Sequence, residues 1–218
     1  MKIYLIPGQG ADHRLYSKLK LSPQFVLEYI EFETPEKGAS MTAYAKQLSR
    51  QIDQSKPFIL IGVSIGGMLA TEINDLLKPV KTIVISSAKH KNEIPSLYRA
   101  QRFLPIYKLI PGRVSKIGAQ ILQPIFEPAR NKEKEIFKQM LKDKDSAFLK
   151  RTISMIINWE RVTYGPNIIS IHGNKDNTLP MKNVKVDYII QEGSHLMILT
   201  KADELSNLLE KLLMEYAI

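Results

Sequence analysis

Short runs of β-branched and aliphatic residues alternate along the chain with longer stretches whose apolar positions recur every three to four residues. The runs at Ile3 to Ile6, Phe25 to Phe32, Phe58 to Ile61, Thr82 to Ser86, Ile168 to Ile171 and Val186 to Ile190 are too short for buried helices and are bounded by turn residues. They predict strands. Several are apolar throughout, the pattern of strands covered on both faces. Between them, Leu69, Ile73, Leu76 and Leu77 fall on one helical face, as do Leu205, Leu208, Leu209, Leu212 and Leu213 near the C-terminus. Helices that connect short buried strands imply crossover units and a doubly wound α/β sheet.

One interval departs from this alternation. From Lys89 to Glu160 there is no strand-like run, while amphipathic pieces occupy Pro95 to Ile110, Arg113 to Phe126, Lys132 to Leu141 and Ser146 to Trp159. A stretch of that length with its own secondary structure predicts a subdomain rather than a loop. The expected organisation is a core formed by residues 1–88 and 161–218, with residues 89–160 inserted as a helical cap. No internal repeat or low-complexity tract is present.

Composition narrows the possibilities. A chain of 218 residues that is 44% hydrophobic can bury one well-packed core. The absence of cysteine excludes a disulfide framework and any Cys-based metal or redox site. Pro7 and Gly8 end the opening apolar run before it could act as the hydrophobic region of a signal peptide, and no segment has the apolar length of a bilayer span. The expectation is a soluble cytoplasmic protein. The formal net charge is +9, and Lys89 to Arg151 carries fifteen Lys/Arg against six Asp/Glu, so the whole excess sits on the insertion. A solvated helical surface explains it first, and attraction of an anionic substrate or surface is the sharper alternative. Nucleic acid is not expected, because the basic residues come with no binding motif or aromatic platform.

The chemistry concentrates after the third predicted strand, in Gly62-Val63-Ser64-Ile65-Gly66-Gly67 followed by the helical Met68-Leu69-Ala70-Thr71-Glu72. This is G-x-S-x-G in a strand-turn-helix context. Small residues flank the serine because side chains there would collide in a turn sharp enough to lift its hydroxyl out of the fold. The Ile65 N–H then lies at a helix N-terminus, where developing negative charge is stabilised.

On these residues the sequence resembles the α/β-hydrolase superfamily, whose triad runs in the chain order serine, acid, histidine. Strand Ile168 to Ile171 leads into His172-Gly173-Asn174-Lys175-Asp176-Asn177-Thr178-Leu179-Pro180, which looks like the family's acid loop, with Asp176 at the matching position. The last strand leads into Gln191-Glu192-Gly193-Ser194-His195-Leu196, which looks like its histidine loop, with His195 as the matching base. The loop Pro7-Gly8-Gln9-Gly10-Ala11-Asp12 is similar to the one that supplies the second oxyanion donor, here the Gln9 backbone N–H, although Pro7 stands where a histidine is usual. The family's first two strands are missing, so the resemblance implies six predominantly parallel strands. In the order 2-1-3-4-5-6 the switch point falls between strands 1 and 3, flanked by the Gln9 loop and Ser64.

Other titratable residues read as structural or exposed. Asp187 lies within the last strand and faces solvent or a surface partner, His172 ends a strand, His13 reads equally as a pocket or a surface residue, His90 reads as a surface residue, and Asp12 reads as a helix cap. No His/Asp/Glu cluster has metal-ligand spacing, and neither metal nor cofactor is expected. The resemblance implies acyl transfer: Ser64 attacks a carbonyl, His195 takes its proton, Asp176 orients His195, and the Gln9 and Ile65 N–H groups hold the oxyanion. The expected substrate is a small-molecule acyl ester or thioester. The competing reading is a ligand-binding or scaffold protein that keeps this fold without turnover.

Overall fold

The computed structural model describes residues 1–105 and 133–216. Strands β1 (Lys2–Ile6), β2 (Val26–Tyr29), β3 (Phe58–Val63), β4 (Lys81–Ile85), β5 (Ile168–Gly173) and β6 (Tyr188–Ile190) form one sheet in the order β2-β1-β3-β4-β5-β6. Every neighbouring pair is parallel. Alternating side chains of β1 divide the core: Ile3 and Leu5 join one cluster, with Leu205 and Leu209, while Tyr4 and Ile6 join the other, with Met41, Leu69 and Ile73. Helices α1 (Met41–Leu48) and α2 (Ile65–Leu77) therefore cover one face of the sheet, and the C-terminal helices cover the other. The expected doubly wound arrangement is present.

The two edge strands are shorter than the hydrophobic pattern predicted, for local reasons. Tyr29 pairs with Leu5, and the Ile30 N–H reaches the Leu5 carbonyl at 3.0 Å, after which β1 gives way to Pro7. Proline offers no N–H to extend the ladder toward Phe32. At the other edge the Ser170 N–H donates to Asp187 Oδ2 at 2.7 Å, so a side chain takes the place of a backbone acceptor and β6 begins at Tyr188. One helical residue also departs from expectation: Leu76, placed on the apolar face of α2, is 42% exposed.

In the interval after β4 the structure has α3 (Ser96–Ala100), α4 (Glu133–Asp143) and α5 (Ser146–Ile157). The last two match the pieces expected at Lys132 to Leu141 and Ser146 to Trp159. The piece expected from Pro95 to Ile110 is a single short helix followed by turns to Leu104, ahead of Pro105, which disfavours a helical residue before it. Its remainder from Ile106, and all of Arg113 to Phe126, lie outside the described residues. Met140 of α4 packs into the first core cluster, and Met155 with Trp159 packs into the second. The entry to the interval is pinned by a buried pair. Lys89 Nζ lies 3.0 Å from Glu93 Oε1 and donates to the Lys185 carbonyl at 2.5 Å, while Glu93 accepts the Lys185 N–H at 3.0 Å. Helices α6 (Met197–Thr200) and α7 (Ala202–Met214) complete the chain.

Candidate active site

Ser64 joins β3 to α2 with φ 55° and ψ −124°, a conformation that residues with a side chain rarely adopt. The surrounding packing imposes it. The Ser64 N–H donates to the Ile85 carbonyl at 3.0 Å, and its own carbonyl accepts from Ser87 Oγ at 2.6 Å. A Cβ on Gly62 would overlap the Gly66 carbonyl, and one on Gly66 would overlap the Ile6 and Pro7 carbonyls. The glycines of the motif thus let the first turn of α2 lie against the ends of β1 and β3. Serine at a helix N-terminus usually accepts a hydrogen bond from the backbone of the first turn. Ser64 does not; its Oγ lies 3.0 Å from His195 Nε2.

His195 and Asp176 come from the loops after β6 and β5, which are stitched together. The Lys175 N–H donates to the Gly193 carbonyl at 2.9 Å, and the Glu192 N–H donates to Asn174 Oδ1 at 2.8 Å. Close approach requires glycine at 173, since a Cβ there would overlap the Gly193 backbone, and a Cβ on Gly193 would stand 3.0 Å from Gly173 Cα. His195 Nδ1 then lies 2.8 Å from Asp176 Oδ2. With Nδ1–H donated to the carboxylate, Nε2 is left to accept the Ser64 proton. Ser64 and His195 are partly exposed, whereas the Asp176 side chain has no exposed surface.

Burial alone would raise the Asp176 pKa, but three donors outweigh it. The charge and hydrogen bond of His195, a bond from His172 and the Leu179 N–H hold the carboxyl well below the usual carboxylate range. Oδ1 accepts the Thr178 and Leu179 N–H groups at 2.9 and 2.8 Å. Oδ2 is shared by His195 and by His172 Nε2, which lies 3.2 Å away. His172 Nε2 also lies 2.8 Å from the Leu179 carbonyl, an acceptor only, so this nitrogen carries the proton. His172 was expected to be structural, and it is fully buried; its contact with the acid was not foreseen. The spacing His172 to Asp176 spans a strand end and a turn, where no periodicity brings two side chains together.

The loop after β1 reaches the same edge. A Cβ on Gly8 would stand 3.5 Å from Ser64 Cβ, which puts the Gln9 loop beside the serine. Among the described residues, neither the Gln9 nor the Ile65 N–H has a hydrogen-bond acceptor within the protein. The residues set aside on sequence grounds lie elsewhere. Asp187 is exposed and bonded to Ser170, and His13 is exposed 3.8 Å from Glu31. Asp12 caps the turn that follows it by accepting the Arg14 N–H. His90, expected at the surface, instead stacks on Tyr164 with ring centroids 5.8 Å apart. Tyr98 of α3 lies near the acid, with its phenol pKa raised by burial and by the Asp176 charge. Among the described residues no group of three or more His, Cys, Asp or Glu could hold a metal ion, and no helix is long and apolar enough to cross a membrane. A surface cavity of about 490 Å³ opens elsewhere, between Ser40 to Thr42, Glu72 and Asn158 to Thr163, and none of Ser64, Asp176 or His195 lines it.

No family model matches the sequence. No curated protein matches it either. Solved structures do match in shape. A thermophilic esterase from Thermogutta terrifontis, with malate bound, has a TM-score of 0.74 at 13% identity, covering 100% of this chain and 91% of its own. An esterase from Exiguobacterium antarcticum has a TM-score of 0.69 at 15% identity, covering 100% and 91%. A hydrolase from Pseudomonas aeruginosa has a TM-score of 0.69 at 12% identity, covering 97% and 89%. The chain has the α/β-hydrolase fold.

Proposed function

We propose that this chain is a serine hydrolase that cleaves a carboxylic ester or thioester of a small molecule through an acyl-serine intermediate. The observation that carries the reading is the continuous hydrogen-bonded line from Ser64 Oγ through both nitrogens of His195 to the buried Asp176 carboxylate. A serine hydroxyl is a weak nucleophile until a base takes its proton, and this line supplies the base and orients it. Ser64 attacks the acyl carbonyl as its proton passes to His195 Nε2. Asp176 holds the imidazolium that forms. The N–H groups of Gln9 and Ile65 receive the oxyanion, His195 returns the proton to the departing alcohol or thiol, and water releases the acyl group by the same steps in reverse. Helices α4 and α5 act as a cap over this site and form part of the acyl pocket. The esterases among the structural neighbours support the choice of ester over other acyl derivatives.

A fluorophosphonate probe, followed by short- and long-chain p-nitrophenyl and CoA acyl esters, tests the proposal. The expected result is a single adduct on Ser64 and turnover of at least one ester. Ser64→Ala is expected to lose both, with kcat down roughly 10⁴-fold or more and the fold retained. A protein that neither labels nor turns over any ester is a binding module on this fold, and the proposal fails.

A further inference from the structure

The loop expected to hold the second oxyanion donor has little to fix it from within. It contains Gly8 and Gly10, the latter at φ +74°, and its one internal backbone bond runs from the Ala11 N–H to the Gly8 carbonyl at 3.1 Å. Its position is set from outside, by the two inserted helices. Gln9 Nε2 donates to Thr152 Oγ1 at 2.9 Å and to the Leu149 carbonyl at 3.1 Å, both on α5. A Cβ on Gly10 would come within 2.8 Å of Leu141 Cδ1, so α4 presses directly on the loop. Just beyond, Arg14 pairs with Asp143 at the end of α4 at 2.6 Å. Thr152 is completely buried, and its hydroxyl proton is directed at the Phe148 and Leu149 carbonyls, 2.8 and 3.0 Å away. That leaves an oxygen lone pair for Gln9 to bond, in an orientation the helix dictates.

We propose that Thr152 is a positioning residue that acts through the Gln9 side chain, so that docking of α5 aligns the Gln9 backbone N–H with the developing oxyanion. This rests on the serine-hydrolase reading above. An oxyanion donor is effective only at about 2.7–3.1 Å from the charged oxygen, so releasing the anchored side chain of the same residue costs rate and not substrate affinity. The insertion is then a structural member of the oxyanion site as well as its cover.

Thr152→Val keeps the volume and removes the hydroxyl, leaving Gln9 only the longer bond to the Leu149 carbonyl; Thr152→Ser keeps the hydroxyl, and Gln9→Met removes the donor while leaving the backbone N–H in place. For the best ester, Thr152→Val and Gln9→Met are expected to lower kcat about tenfold or more with KM little changed. Affinity for a trifluoromethyl ketone, which places an oxyanion in the same position, is expected to fall in parallel. Thr152→Ser is expected to stay close to wild type in both. Amide hydrogen exchange at Ala11, whose N–H bonds the Gly8 carbonyl across the loop, provides a readout independent of turnover, slow in the wild-type protein and in Thr152→Ser, fast in Thr152→Val and Gln9→Met. Wild-type kcat and exchange in Thr152→Val and Gln9→Met, or equal losses in the Ser and Val variants, would overturn the proposal. If the wild-type protein hydrolyses no ester, the serine-hydrolase reading has failed, and the exchange rates alone decide whether the clamp holds the loop.

Discussion

Asp176 and Glu72 are two buried carboxylates with nearly full sets of hydrogen-bond donors, and they serve different ends. Glu72, on α2, accepts from Trp159 Nε1 and Arg161 Nε at 2.8 Å each, and from Thr42 Oγ1 at 2.8 Å. Burial pushes its pKa up, and the Arg161, Trp159 and Thr42 hydrogen bonds bring it below the ordinary value. Asp176 shows the same opposition of burial and donors. The difference lies in what the donors can do next. Arg161 offers only donors and spends further N–H groups on Asp75 and the Thr163 carbonyl. His195 has a second nitrogen that can take up and release a proton, and that nitrogen faces Ser64. A buried carboxylate paired with guanidinium becomes a pin between α2 and the segment after α5; paired with imidazole it becomes, on the proposed reading, one end of a proton path.

The sharpest way to break this comparison is to neutralise each carboxylate. Asp176→Asn is expected to reduce kcat roughly 10⁴-fold while the protein stays folded, because the amide favours the wrong His195 tautomer. Glu72→Gln is expected to leave kcat per folded molecule close to wild type and to lower unfolding free energy by roughly 2 kcal/mol in urea titrations, as the half-buried Arg161 guanidinium keeps Asp75 but loses its inner carboxylate partner. Reversed outcomes would mean that the roles of the two sites have been exchanged.

Acidification sharpens the same contrast. Both folded-state pKa values lie below those of the unfolded chain, so each carboxylate contributes stability that is fully present above the unfolded value near 4 and is lost as pH falls through the folded one. Urea midpoints of the wild-type protein are expected to drop between about pH 5 and pH 2, and Asp176→Asn and Glu72→Gln are each expected to flatten that drop. The smallest effect is expected at Asp187→Asn: its exposed carboxylate serves only the Ser170 N–H, and kcat is expected to stay near wild type. A loss comparable to that of Asp176→Asn would move the acid to the β6 edge.

Which parts of these sites could be read in the sequence follows from their geometry. Ser64, Asp176 and His195 stand at strand ends within short motifs, so chain order and local turn chemistry were enough to single them out. Glu72 lies inside a helix and finds Arg161 across 89 residues, a pairing no local pattern encodes. The Gln9 to Thr152 bond spans 143 residues and joins the core to the insertion, so the Gln9 backbone could be anticipated but the use of its side chain could not. Strand order was legible through the resemblance to the α/β-hydrolase superfamily, with which the order 2-1-3-4-5-6 was given. Strand ends were not, because Pro7 and the Asp187 carboxylate decide them through single hydrogen bonds.

The backbone of Ser64 carries one further implication. At φ 55° the position suits glycine better than any residue with a Cβ, and the flanking glycines keep it there. Selection for thermal robustness alone would favour glycine at 64, and a design procedure that scores only folding energy would tend to write it in. On the proposed serine-hydrolase reading, serine at this position is a compromise in which resistance to unfolding is given up locally to keep a reactive hydroxyl outside the sheet. Stabilising this protein by consensus or computation therefore calls for leaving the elbow untouched and seeking gains at sites with no part in the chemistry, such as the exposed Leu76 on α2.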